Sequence, residues 1–154
     1  MSVYYADSSV LVKRHVRERG AAWVRALMSP ASGNLIITAR VSAIEVYSAL
    51  NRLVREQRLS LSDYDQLQGD FAAVLVAEYE RVELSPFVED RARVLLETYP
   101  LRAYDAVQLA SALFTHATLV AQGVSSMYFL SADIRLLAAA RSEGLQVDNP
   151  DDHG

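Results

Sequence analysis

An α/β fold, three layers deep with a central parallel β-sheet flanked by helices, is what this sequence predicts, on three observations. Short β-prone runs alternate along the chain with longer helical patterns, the order that builds a parallel sheet covered on both faces. Gly20, Gly33, Gly123 and Gly144 all fall in the predicted connections, where helices stop. The 154 residues contain no repeat, linker or low-complexity tract, and they are enough for one domain with a real core.

The elements follow in order. Val3–Ala6 is a short strand ending at Asp7, followed by helical patterns over Ser9–Val16 and Ala21–Met28. Leu35–Thr38 (LIIT) is the second strand. The helix Ser42–Glu56 then opens on Ser42-Ala-Ile-Glu45, which spells a capping box. After the helix Ser62–Glu78 comes a weaker strand candidate, Arg81–Leu84. The next helix, Phe87–Thr98, is opened by Pro86 and closed by Pro100. A long helix Tyr104–Gln122, the strand Met127–Leu130 (MYFL) and the helix Asp133–Glu143 complete the pattern, with a short strand at Gln146–Val147. Residues 1–154 are expected to form one domain, with the last four residues a frayed tail.

Composition excludes several classes. Half the residues are apolar and 22% are charged, as in soluble globular proteins. No apolar run reaches the ~20 residues of a membrane span, so no membrane partner is expected. The N-terminus has no basic region ahead of its apolar residues, and the chain has no cysteine; both fit a cytoplasmic protein. A net charge of −4 argues against coating nucleic acid by bulk electrostatics, though it leaves room for a basic rim around an acidic centre. Lys13 is the sole lysine, an imbalance that GC-biased codon usage explains better than selection for phosphate binding.

In a parallel sheet, ligands bind beyond the carboxyl ends of the strands, so acids at those ends matter most. Asp7 ends the first strand, Glu45 lies in the first turn after the second, and Asp133 follows the fourth by three residues. Asp105 opens the long helix. There Gln108, Ser111, Thr115, Thr118 and Gln122 read as a solvated stripe, which turns Asp105 toward the packed side with Leu109, Ala112 and His116. Singly, these acids read as helix caps or partners of a helix dipole. Together they repel one another, increasingly as the site dries, and a hard divalent cation with oxygen ligands removes that conflict.

The stretches Tyr5-Ala-Asp7-Ser-Ser9-Val10, Ser42-Ala-Ile-Glu45-Val46, Leu101-Arg-Ala-Tyr-Asp105-Ala-Val-Gln-Leu-Ala and Leu130-Ser-Ala-Asp133-Ile resemble the PIN-domain ribonucleases. Within them the likeness is to VapC-type toxins of toxin–antitoxin pairs, and it runs from Val3 to about Val147. The resemblance implies a PIN-like fold and endoribonuclease activity dependent on Mg²⁺ or Mn²⁺. It makes Asp7, Glu45, Asp105 and Asp133 the acidic quartet around the metal. Ser9 and Ser131 match hydroxyl positions beside the first and last acids, with helix capping as their other reading. It further implies an RNA substrate, cut by water to leave a 5′-phosphate and a 3′-hydroxyl, and a cognate antitoxin as partner.

Lys13, Arg14 and Arg102 are candidates for holding the RNA backbone. The apolar helices Ser42–Leu53 and Leu67–Val76 are expected to pair with a second copy in a homodimer. No P-loop, GxGxxG, GxSxG or HExxH occurs. An aspartyl phosphatase or receiver domain is disfavoured by Ser9 in place of a second aspartate and by the lack of a late lysine. A catalytically silent binding module and a housekeeping RNA-processing nuclease stay open.

Overall fold

The computed structural model describes all residues, Met1–Gly154. Five strands form one parallel sheet: β1 (Val3–Ala6), β2 (Leu35–Ala39), β3 (Tyr79–Val82), β4 (Tyr128–Leu130) and β5 (Gln146–Asp148), in the spatial order β3-β2-β1-β4-β5. Seven helices connect them: α1 (Ser8–His15), α2 (Ala21–Met28), α3 (Ser42–Arg55), α4 (Leu61–Ala77), α5 (Pro86–Thr98), α6 (Ala103–Ala121) and α7 (Ile134–Ser142). None is long and apolar enough to cross a membrane.

Strand alternation divides the interior in two. Val3, Tyr5, Ile37, Ala39, Met127 and Phe129 face a core built with α5, α6 and α7. Ala6, Ile36, Tyr79 and Leu130 face the other, built with α1 to α4. The three-layer α/β/α expectation holds. The third strand lies two residues earlier than its pattern implied, because Tyr79 is the buried residue that pairs with Ile36, while Leu84 is exposed.

The chain leaves β1 toward β2 and β3 on one side, then returns through α5 and α6 to β4 on the other. The order therefore reverses between β1 and β4, and a crevice opens at their carboxyl ends. The Asp7 amide extends that pairing by donating to the Leu130 carbonyl at 3.1 Å.

Four expectations are corrected. Gln108, Ser111 and Thr115 are buried rather than solvated, because α6 is covered on more than one side; only Thr118 and Gln122 of that stripe reach water. The C-terminal residues are docked instead of frayed: Pro150–His153 form a 3₁₀ turn, with His153 stacked on Trp23 and hydrogen-bonded to Asp148. Lys13 is buried against that turn, 2.8 Å from Asp151 and 2.9 Å from the Arg19 carbonyl. Arg14 pairs with Glu78, so neither of these cations serves the crevice. Finally, α3 and α4 spend their apolar faces on the chain's own core through Val46, Leu50, Phe71 and Leu75, leaving Ile44 and Val76 outside.

Candidate active site

Asp7 sits where β1 turns into α1, 4% exposed, and both its oxygens are engaged. Oδ1 accepts from the Ser9 hydroxyl at 2.5 Å and from the Val10 amide at 3.2 Å; Oδ2 accepts from the Ser131 hydroxyl at 2.5 Å. Ser9 Oγ in turn accepts from the Ala132 amide, and Ser131 Oγ from the Asp133 amide, each at 3.0 Å. These two hydroxyls clip the turn after β1 to the turn after β4, with Asp7 between them. Burial pushes the Asp7 carboxyl up to about 6; the three donors oppose this and the nearby Glu45 charge reinforces it.

Glu45 is no capping-box residue. The N-cap of α3 is Val41, which makes no side-chain cap, and Ser42 is inside the helix. Glu45 Oε1 instead accepts from Gln108 Nε2 at 2.8 Å. Its carboxyl is raised by burial and by Asp105, against the opposing hydrogen bonds from Gln108 and Ser8.

Asp105 lies half-buried in the first turn of α6. Burial and the Asp133 charge raise its carboxyl, and the Arg102 backbone and charge ease it. Asp133 caps α7, accepting from the Arg135 and Leu136 amides at 2.9 and 3.3 Å. The capping reading therefore holds for Asp7 and Asp133 and fails for Glu45, while Asp105 stands in the first turn of α6, where an acid answers the helix dipole.

The electrostatic neighbours run Asp7 to Glu45, Glu45 to Asp105, and Asp105 to Asp133, so all four acids share one edge. None forms an ion pair with a protein cation, although eight ion pairs occur elsewhere in the chain. No three carboxylates converge tightly enough to cage an ion by themselves. Pairs of carboxylates that leave positions for water and phosphate suit Mg²⁺, which keeps part of its hydration shell. On donor chemistry and unbalanced charge, the residues fit a divalent cation.

Beside Glu45 opens a cleft of about 480 Å³, reached also by Ser9, Arg52, Arg102 and Tyr104. Neither arginine has an ion-pair partner, in contrast to Lys13 and Arg14. Arg52 was not legible as a site residue, since nothing local separates it from other surface arginines. Gln108 was misread as solvated, although its spacing of three from Asp105 places both on adjoining faces of α6. Behind it, the buried Tyr5 phenol donates to Gln108 Oε1 at 2.8 Å.

The PIN domain family profile matches residues 4–124 of this chain. The chain belongs to the PIN-domain family. Two ribonucleases of Mycobacterium tuberculosis, VapC45 and VapC49, are each 31% identical to it over 147 residues, covering 96% of this chain and 95% of theirs. This PIN domain is accordingly of the VapC type. Its fold is also that of VapBC2 from Rickettsia felis, solved bound to a promoter DNA fragment, with a TM-score of 0.60 at 12% identity, covering 96% of this chain and 98% of that one. A toxin–antitoxin complex from Klebsiella pneumoniae matches with a TM-score of 0.58 at 17% identity, over 97% and 98% of the two chains.

Proposed function

We propose that the chain, acting as one domain over residues 1–154, is a divalent-cation-dependent endoribonuclease and the toxin of a VapBC-type pair in the cytoplasm. The observation that carries this reading is the set of Asp7, Glu45, Asp105 and Asp133 at the β1/β4 crevice, none of them in an ion pair with a protein cation. The 31% identity to two ribonucleases supports the same activity.

In this reading pairs of carboxylates from the quartet would hold Mg²⁺ or Mn²⁺, and the ion would supply an acidified water and charge neutralisation at the scissile phosphate. Asp7 is held still by Ser9 and Ser131, so its oxygens need no reorganisation to serve as ligands. Asp105, half-exposed and with a raised carboxyl, takes the proton from the attacking water. Attack by water leaves a 5′-phosphate and a 3′-hydroxyl. Arg52 and Arg102 grip the RNA backbone in the adjoining cleft.

The test is cleavage of a total-RNA pool by the purified chain with Mg²⁺ or Mn²⁺. EDTA and Asp105→Asn should each abolish cleavage in protein that still folds, and the products should carry 5′-phosphates. Cleavage that survives both would overturn the site. RNA binding with no cleavage by wild type would favour a binding module.

An antitoxin segment is the expected partner for a second hollow of about 380 Å³. Val16, Leu53, Leu59 and Leu67 line it between Arg17, Arg58, Glu18 and Asp63, a fit for an apolar segment. For the homodimer, the exposed Leu84, Phe87, Leu96 and Phe114 around α5 and α6 support pairing better than α3 and α4 do. Light scattering at micromolar concentration should give twice the 17.0 kDa chain mass; a monomer would refute the dimer.

A further inference from the structure

Gln108 is 1% exposed, and its carboxamide is fully engaged by three side chains from two other elements. Oε1 accepts from the Tyr5 hydroxyl on β1; Nε2 donates to Ser42 Oγ and to Glu45 Oε1 on α3; all three distances are 2.8 Å. The amide cannot be turned over, because its oxygen would then face the Glu45 carboxylate.

The network continues into the sheet. Thr38 Oγ1 lies 2.6 Å from the Ala6 carbonyl and 2.8 Å from Ser42 Oγ. A carbonyl only accepts, so the Thr38 proton goes to Ala6 and the Ser42 proton to Thr38. That leaves Ser42 to accept from Gln108, as observed. Gln108 is therefore the branch point: one of its N–H donors feeds the relay through Ser42 and Thr38 that ends on the Ala6 carbonyl, and the other ends on the Glu45 carboxylate. Ala6 immediately precedes Asp7, so the same network is tied to the backbone that carries the first acid.

We propose that Gln108 is a positioning residue for Glu45, and that the buried Tyr5–Gln108–Ser42–Thr38 network sets where the Glu45 carboxylate stands relative to Asp7. The inference rests on the reading of Glu45 as part of the cation site. A residue that merely packed α6 against the sheet would need no donor aimed at a carboxylate, and a methionine would fill the same space.

The test uses Mn²⁺ alone as probe, with calorimetric binding and a thermal melt on each protein. Gln108→Met keeps the volume and removes both donors; Tyr5→Phe removes only the far hydroxyl and leaves Gln108 in place. Weakening of Mn²⁺ binding by about tenfold or more is expected for Gln108→Met, the usual cost of losing a group that orients a metal ligand. A smaller weakening, two- to threefold by our expectation, should follow Tyr5→Phe, roughly as for one partner lost from a network. Lowered melting temperatures with Mn²⁺ affinity within twofold of wild type in both variants would overturn the proposal. Should Gln108→Met fail to fold, unchanged affinity in Tyr5→Phe overturns it by itself. Glu45→Gln separates the two levels: if it binds Mn²⁺ like wild type, the reading of Glu45 as a ligand fails, whatever Gln108 does.

Discussion

Asp7→Asn is expected to abolish RNA cleavage and, in metal-free buffer at neutral pH, to make the protein more stable. The activity loss should exceed about 100-fold, since even residues that only orient a metal's ligands cost about 10–100-fold when replaced. The gain in stability follows from burial. The folded Asp7 carboxyl titrates at about 6, against 3.8 for an ordinary aspartate. Between those values the folded chain keeps a proton that the unfolded chain has lost. Stability attributable to Asp7 is therefore fully present below pH 3.8, falls as pH rises toward 6, and stays low above it. The difference is about 3 kcal/mol at neutral pH, an upper bound on what the neutral amide recovers. At this chain length each kcal/mol moves the melting temperature by about 2–4 °C. Melts of wild type and variant from pH 4 to pH 8 in EDTA should thus diverge as pH rises. Added Mn²⁺ should raise the wild type and leave the variant unmoved. Parallel melting curves across that pH range would refute the buried-charge account.

Phe129→Ala should produce the largest loss of stability at any single core position beneath the site. Phe129 is fully buried in β4, and its ring stacks on Tyr5 at 5.6 Å with an interplanar angle of 8°. Truncating such a ring in a core costs about 3–5 kcal/mol, from lost burial plus the cavity left behind. Against a total of about 5–15 kcal/mol, that is a large share. Urea melts should show a lower midpoint with an unchanged slope. Val76→Ala is the control: Val76 is 77% exposed, and its truncation should change stability by less than about 0.5 kcal/mol. Similar losses in the two variants would mean that the sheet core is not packed as described. Phe129→Ala should also loosen Tyr5, whose hydroxyl holds Gln108.

Much of this molecule is legible in local pattern. The alternation of apolar runs with helical periods encodes five strands and seven helices, and the order of the acids places Asp7, Glu45, Asp105 and Asp133 at strand ends and helix starts. Such features depend on residues three to eight apart, which is the range over which side-chain periodicity acts. The same local logic failed where a neighbour distant in sequence reversed its meaning. Ser42 and Glu45 have capping-box spacing, but Gln108, 63 residues beyond Glu45, takes the carboxylate instead. Gln108, Ser111 and Thr115 follow a solvated period, yet α6 is enclosed, and Thr115 satisfies its hydroxyl on the Ser111 carbonyl at 2.8 Å. Lys13 reads as a surface cation until the C-terminal turn folds over it.

Periodicity and the ends of elements thus determine which side chains can reach the carboxyl edge of the sheet. Which of them meet there depends on strand order, because placing β1 beside β4 and α6 across β2 brings together groups that no local pattern relates. Asp7 and Ser131 are 124 residues apart, and Tyr5 and Gln108 are 103. Their hydrogen bonds exist only once loops of that length have closed, and burial then gives the bonds their strength and the carboxylates their repulsion.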